Sequence, residues 1–416
     1  MKSPFWRRLA LILAGALTIR LVYTIAVAGG DVSPGPTGDF FYYHDLANLI
    51  ADGKGFVAPF LYHHAGETAA TAEHPPLWPL VLSAASKLGG NGLLVHRLVG
   101  VPVGVAVVAV LALIGRRLGG DRVALAVAAL AAAHPLLVAA DGSLMSETLY
   151  GLFLAAALLA ALRLLERPSP GRAAALGALI GLAALTRGEG LLLLVLLALP
   201  AAWAAAHDGR VRRVGAVLIA TALVLAPWVV RNAVEFDRPV LTSTNDATVL
   251  TGANCPHTYH GHDLGFWRVD CRTPLTETNE ARQAAIWRDA GLDYAGDHAG
   301  RLVGVVIPVR VLRTWGVWQP QDQVREAEGR DWTVERLGVV VYFLLLPLAA
   351  YGALLLRRRG GPLWVLLVPV ALVTLVSLLA YGYTRFRYAA DLAIVVLAGV
   401  ALVELVERRR YSTSVR

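Results

Sequence analysis

The sequence predicts an all-α, polytopic integral membrane protein of about ten transmembrane helices, with extracytoplasmic surface helices and one disulfide-bearing outer segment. Three observations carry that expectation. Of its 416 residues, 56% are hydrophobic and only 16% are charged, outside the composition of a soluble globular domain. Apolar runs close to the roughly 20 residues that cross a bilayer recur along the chain. Short arginine clusters follow alternate runs, as in cytoplasmic loops.

The candidate spans fall at residues 9–28, 93–115, 123–140, 147–164, 173–187, 190–206, 214–230, 336–356, 362–380 and 389–406. The first is long enough to cross and lacks a small-residue cleavage site, so it is expected to stay as a helix and not leave as a signal peptide. Basic clusters at Arg7 and Arg8, Arg116 and Arg117, Arg163 to Arg172, Arg210 to Arg213, Arg357 to Arg359 and Arg408 to Arg410 then put both termini in the cytoplasm. Those loops also account for the net charge of +8. A nucleic-acid surface would gather its arginines on one face.

Residues 75–90 are a further apolar run, but a crossing there would invert every later loop and put Arg116 and Arg117 outside. A membrane-surface helix is expected instead. The same holds for residues 40–51, where Tyr42, Leu46, Leu49 and Ile50 recur at helical spacing before Gly53 and Gly55 end the run. The chain then divides into an N-terminal transmembrane module, 1–230, an extracytoplasmic segment, 231–335, and a C-terminal transmembrane module, 336–416. The first module contains an outer loop at about residues 29–92. Cytoplasmic loops are all short, so the chemistry is expected outside. No internal repeat is evident.

Carboxylates and imidazoles crowd the first outer loop. Asp39 opens Asp39-Phe40-Phe41-Tyr42-Tyr43-His44-Asp45, and Glu73-His74-Pro75-Pro76-Leu77 opens the second surface helix. The commoner role for Asp39 is a helix N-cap, which is compatible with a carboxylate facing a pocket. Glu147 begins a span from the outside, the end at which the helix dipole favours negative charge. Two carboxylates at similar depth on separate segments are a more specific signal than either alone.

The arginines carry the strongest argument. Positive charge is depleted from short outer loops, yet Arg187 lies in Thr186-Arg187-Gly188-Glu189 and Arg385 with Arg387 in Tyr383-Thr384-Arg385-Phe386-Arg387-Tyr388. A guanidinium fork matches a phosphate, and at a membrane face that phosphate belongs to a lipid. Snorkelling to ordinary headgroups is the bland alternative. Arg20, inside the first span, is expected to pair with a carboxylate on a neighbouring span.

Cys255 and Cys271 are the chain's two cysteines, and both fall in the long outer segment. A disulfide is expected there, its closed loop contributing about 3 kcal/mol. The nearby His257, His260 and His262 do not follow a structural zinc spacing, so no metal site is assigned. Glu73 with His74 is compatible with a divalent metal, but no motif demands a cofactor. Walker, GxGxxG, GxSxG and HExxH motifs are absent, which argues against nucleotide-driven chemistry.

At Asp39, Glu73 to Leu77, Glu147 and Arg385 to Tyr388 the chain resembles the GT-C superfamily of membrane glycosyltransferases, in the branch of bacterial aminoarabinose transferases and protein O-mannosyltransferases. His74 stands where aminoarabinose transferases commonly have lysine. The resemblance implies that Asp39 is the general base, Glu147 the second acidic residue, and His74 with Arg385 or Arg387 the holders of a lipid phosphate; Arg187, from its place at an outer span end, is a further candidate for that phosphate. Tyr42, Tyr43, Asp45, Glu73 and Tyr388 would line the substrate pocket. It implies an inverting transfer of a sugar from a polyprenyl-phosphate donor to a hydroxyl of a glycan, lipid or protein acceptor, on the outer face of the plasma membrane. The other readings are a lipid or solute transporter, disfavoured because the ionisable residues gather at outer span ends and not at the midplane, and a non-catalytic membrane assembly protein of the same fold.

Overall fold

The computed structural model describes residues 4–28, 38–275, 277–321 and 328–414. Helices account for nearly all of its regular structure. In chain order they are α1 (Pro4–Val22), α2 (Asp39–Ala51), α3 (Pro59–Ala65), α4 (Leu77–Lys87), α5 (Leu93–Ala133) and α6 (Pro135–Gly142). Next come α7 (Glu147–Glu166), α8 (Pro170–Ala184), α9 (Leu199–Ala204) and α10 (Arg210–Phe236). Residues 231–335 hold α11 (Asn245–Ala253), α12 (Pro256–Tyr259), α13 (Glu280–Asp297), α14 (Ala299–Arg301) and α15 (Ile307–Thr314). The chain closes with α16 (Trp332–Arg358), α17 (Leu363–Leu379) and α18 (Tyr388–Ser414).

Among the described residues, 6 helices are long and apolar enough to cross a membrane, and shorter apolar helices cover Pro170–Ala184, Gly188–Ala204 and Leu363–Leu379. The 41-residue α5 is not straight. Gly119 and Gly120 break its backbone, Gly120 at φ 77°, and a Cβ on Gly115 would stand 2.9 Å from Val127 Cγ2. Twelve residues of straight helix would separate that pair by about 18 Å. The chain therefore folds back as a hairpin with arms at 93–118 and 121–133. The expected span at 123–140 is interrupted in turn, because Pro135 lacks the N–H that would continue the helix past His134.

The α18 helix lies at the centre, with 72% of its apolar window buried against 22% for both α1 and α10. It packs on α16 and α5, while α1 leans on α5 and α8 on α10. Leu154, Leu158, Leu176, Ile180, Val395 and Val396 are among the buried residues of the shared core, so both ends of the chain build one bundle. Close approach of α6 to α5 requires Gly104, where a Cβ would fall 2.0 Å from Asp141 Oδ2. That approach brings Asp141 to Arg20, whose Nε donates at 2.5 Å. Arg20 is thus a structural ion pair between helices, and the pairing neutralises both charges where neither is hydrated.

Candidate active site

Segment ends converge here through one backbone bond and one indole bond. Leu77 N–H donates to Leu185 O at 2.9 Å, which sets His74 and Pro75 beside Thr186 and Arg187. The indole N–H of buried Trp78 donates to Leu144 O at 2.9 Å, holding the turn that starts α7 against α4. Gly38, at φ 86°, is the N-cap residue of α2, and Asp39 is its first helical residue. The expected capping role of Asp39 is therefore not seen: its side chain caps nothing and turns to other partners.

Those partners are cationic. His74 Nε2 lies 3.4 Å from Asp39 Oδ1, and Arg385 Nη2 donates to Asp39 Oδ2 at 3.4 Å. Arg385 also donates through Nε to Glu147 and through Nη1 to Glu328. Arg187 Nη1 donates to Glu147 Oε1 at 3.2 Å and its Nε to Glu189 at 2.5 Å. Tyr43 OH donates to Ser146 Oγ at 3.2 Å, and the His74 ring lies 4.7 Å from that of Tyr42 and 5.1 Å from that of Tyr43. One guanidinium thus faces three carboxylates, and two more cations approach from the sides.

The electrostatics follow. Burial opposes ionisation of Asp39, but His74, Arg385 and Arg187 outweigh it and hold the carboxyl well below its usual range. Burial lowers the basicity of His74, yet Asp39 and Glu73 overcome that and raise it above the ordinary histidine value. The Glu328 carboxyl is pushed up to about 7, by burial first and then by Asp39 and Glu147, against the pull of Arg385.

Asp39, Tyr43, His74, Ser146, Arg187 and Arg385 form the floor of a cavity of about 840 Å³. One wall is apolar, from Leu191, Val376, Leu379 and Phe386, and the mouth is polar, from Arg238, Thr242, Ser243, Asn245 and Asp246. The mouth is fixed to the segment between α3 and α4 through Glu280, which accepts from Thr71 Oγ1 at 2.6 Å, Ala72 N at 2.8 Å and Thr244 Oγ1 at 2.6 Å. Glu147 and Tyr388 sit in a smaller recess adjoining Arg385.

Four expected site residues lie elsewhere. Tyr42 is buried beneath the floor, its hydroxyl 3.2 Å from Thr71 Oγ1, and Asp45 and Glu73 do not reach the cavity lining. Asp45 is six residues beyond Asp39, about 120° away around the helix. Arg387 is fully buried within the bundle, its guanidinium 3.6 Å from the Tyr342 ring centroid and its Nε 3.3 Å from Asp391. In a turn with three residues per repeat, positions two apart diverge by about 120°. That geometry sends Arg385 to the cavity and Arg387 away from it.

Sequence reasoning missed Glu328 and Arg330. Arg330 is 3% exposed, 2.9 Å from Glu335 and 3.9 Å from Glu147. The signal available was the run Glu328-Gly329-Arg330-Asp331, which puts three charges just before a span. Between α11 and α13, Cys255 and Cys271 are joined, with their Cα atoms 6.1 Å apart.

The described residues of the floor do not fit a divalent cation. Among the described residues no group of three His, Cys, Asp or Glu side chains converges as metal ligands do. Arg385 occupies the centre between the three carboxylates, where a cation would have to sit.

Residues 73–230 match the sequence profile of the family described as dolichyl-phosphate-mannose-protein mannosyltransferase. The fold matches the oligosaccharyltransferase AglB from Archaeoglobus fulgidus, solved with an inhibitory peptide and a dolichol-phosphate. The TM-score is 0.60 at 14% identity, over 100% of this chain and 52% of that one. The apo form of that enzyme gives the same values. The chain therefore spans about half the length of these relatives. ArnT from Cupriavidus metallidurans, bound to undecaprenyl phosphate, matches more loosely, with a TM-score of 0.45 and 19% identity over 95% of this chain and 77% of that one. No curated protein matches the sequence. The chain thus shares the fold of the archaeal oligosaccharyltransferase, and its residues 73–230 match the mannosyltransferase family's profile.

Proposed function

We propose that the protein is an inverting glycosyltransferase, moving a sugar from a polyprenyl-phosphate donor to an acceptor hydroxyl on the outer face of the plasma membrane. The observation that carries this reading is Arg385, held between Asp39 and Glu147 on the floor of a cavity with one apolar wall and one polar mouth. A prenyl chain fits the wall, its phosphate meets the guanidinium, and a hydroxylic acceptor enters by the mouth. The archaeal relative holding a dolichol-phosphate supports a lipid phosphate as the ligand class.

In the reaction, the acceptor oxygen attacks the anomeric carbon as the bond from that carbon to the phosphate oxygen breaks. Its electron pair leaves with the phosphate. The acceptor proton passes to Asp39, which is ionised at neutral pH and available to take it. Arg385 and Arg187 stabilise the charge that gathers on the departing lipid phosphate. Glu147 keeps both guanidiniums in place. A single displacement inverts the anomeric centre.

Ten crossings, with 75–90 on the outer surface and both termini in the cytoplasm, put this floor outside. There lipid-linked sugars and not nucleotide sugars are the donors. The purified protein, given a synthetic polyprenyl-phosphate hexose and a hydroxylic acceptor, should release polyprenyl phosphate and form a product of inverted configuration. Retained configuration, or turnover with a nucleotide sugar alone, overturns the reading. Folded protein without any turnover would return it to a non-catalytic assembly role.

A further inference from the structure

We propose that the Glu328 carboxylate occupies the edge of Arg385 on which the donor's phosphate must seat, so that the donor binds by exchange against Glu328. This rests on the reading of Arg385 as the phosphate grip. Arg385 presents three edges, and each meets a carboxylate: Nε meets Glu147, Nη2 meets Asp39 and Nη1 meets Glu328. A phosphate arriving with all three in place would be a fourth anion around one guanidinium.

The three carboxylates are not equally replaceable. Glu147 is 4% exposed and is also held by Arg187 and, at 3.9 Å, by Arg330. Asp39 has His74 as a second cation. Glu328 is 35% exposed, and among the described residues Arg385 is its one cation within 4 Å. Its backbone stands at φ 26°, a left-handed conformation that disfavours a residue with a side chain.

The residues after it are fixed. A Cβ on Gly329 would fall 2.5 Å from Ser143 O, Arg330 pairs with Glu335 at 2.9 Å, and Asp331 caps α16 through Thr333 N and Val334 N, both at 2.9 Å. Glu328 is thus a strained, partly exposed carboxylate at the end of a fixed turn, with a single grip. A phosphodiester carries the same charge of minus one, so exchange leaves the charge on Arg385 balanced.

The exchange is proton-linked. Groups facing Glu328 are Asp39 from α2, Glu147 from α7, and Arg385, Tyr381 and Tyr383 from the turn before α18. The Glu328 carboxyl, raised to about 7 by burial and then by Asp39, gains its proton near neutrality. Below that pH the neutral acid releases Arg385 and the donor meets no competitor. Above it the carboxylate competes and donor affinity falls.

The experiment uses the full-length protein in detergent and a prenyl methyl phosphodiester, whose single charge does not titrate in the working range. In the parent, affinity should fall as pH rises through about 7, by up to about tenfold per unit. Glu328→Gln should bind about tenfold more tightly than the parent at pH 8 and show a flat profile, with Glu328→Ala as the companion variant should glutamine repack. If both Glu328 variants bind like the parent or more weakly while Arg385→Lys loses binding, the exchange is overturned and the phosphate grip stands. If Arg385→Lys binds like the parent, the grip falls and the exchange with it. Turnover lost in Glu328→Gln without any gain in affinity overturns the exchange and makes Glu328 a proton acceptor.

Discussion

Arg385 Nη2 stands 3.4 Å from Asp39 Oδ2, joining residues 346 positions apart on the floor of one cavity. The contact does two things. After His74, it helps keep Asp39 ionised, and it aims a guanidinium at the place where a leaving phosphate would gather charge. Asp39 is 36% exposed, so it is not a packing residue, and its partners are all members of the same floor.

Asp39→Asn keeps the shape and removes the proposed proton acceptor. Transfer should fall by at least about a hundredfold, the lower range for loss of a general base, while the protein elutes as a single folded species. Transfer near the parental rate by that purified variant would leave Asp39 only an electrostatic partner of Arg385.

Arg385 and Arg387 should separate cleanly. Lysine at 385 keeps one charge but cannot address three carboxylates, so turnover should drop about a hundredfold and polyprenyl phosphate should compete about tenfold less well. Arg387→Lys should instead lower the melting temperature, because Arg387 lies on the Tyr342 ring and pairs with Asp391 inside the bundle. Equal effects of the two variants on phosphate competition would contradict the geometry.

Helices at most of the expected spans were legible because apolar runs of fixed length have few other uses, and the helices at Asp39–Ala51 and Leu77–Lys87 were legible from helical spacing and punctuation. Asp39, His74, Arg187 and Arg385 were legible because each sits at a segment end, where a charge has to be explained. Glu328 and Arg330 were not, since a polar segment without periodicity gives no sign of which charge turns inward. The break at His134 and Pro135 was hidden by the unbroken apolarity around it. Asp45 was grouped with the pocket residues, but the helical repeat carries it away from Asp39.

The raised basicity of His74 has a pH signature. Its charge, held to higher pH than an ordinary histidine's by Asp39 against the cost of burial, is lost as pH rises through that raised value. Stabilisation of the Asp39 pair should be lost in the same window, so turnover should fall on the alkaline side. His74→Lys should retain activity to higher pH, since lysine loses its proton only near about 10. An unchanged alkaline limb would show that another group titrates there.

Cys255 and Cys271 close a loop with a sequence separation of 16, for which the chain-entropy estimate is about 3 kcal/mol. Mass mapping without reductant should recover the two as one linked peptide pair, and the double substitution Cys255→Ser with Cys271→Ser should melt several degrees lower. Two free thiols in protein purified from the membrane would place this segment in a reducing compartment and reverse the proposed orientation.

That orientation has an independent test, because the α5 hairpin turns at Gly119 and Gly120 beside Arg116 and Arg117. The charge rule puts this turn in the cytoplasm and the end of α4 outside. Lys87 is exposed at the end of α4, and Asp121 is 51% exposed just past the turn, so both can report. In a variant lacking the two native cysteines, Lys87→Cys should react with a membrane-impermeant maleimide in intact cells. Asp121→Cys should react only after the cells are permeabilised, which separates sidedness from burial. Labelling of Asp121→Cys in intact cells would put the arginine turn outside, and with it would go the ten-crossing arrangement and the placement of Asp39 and Arg385 on the side where lipid-linked sugars are used.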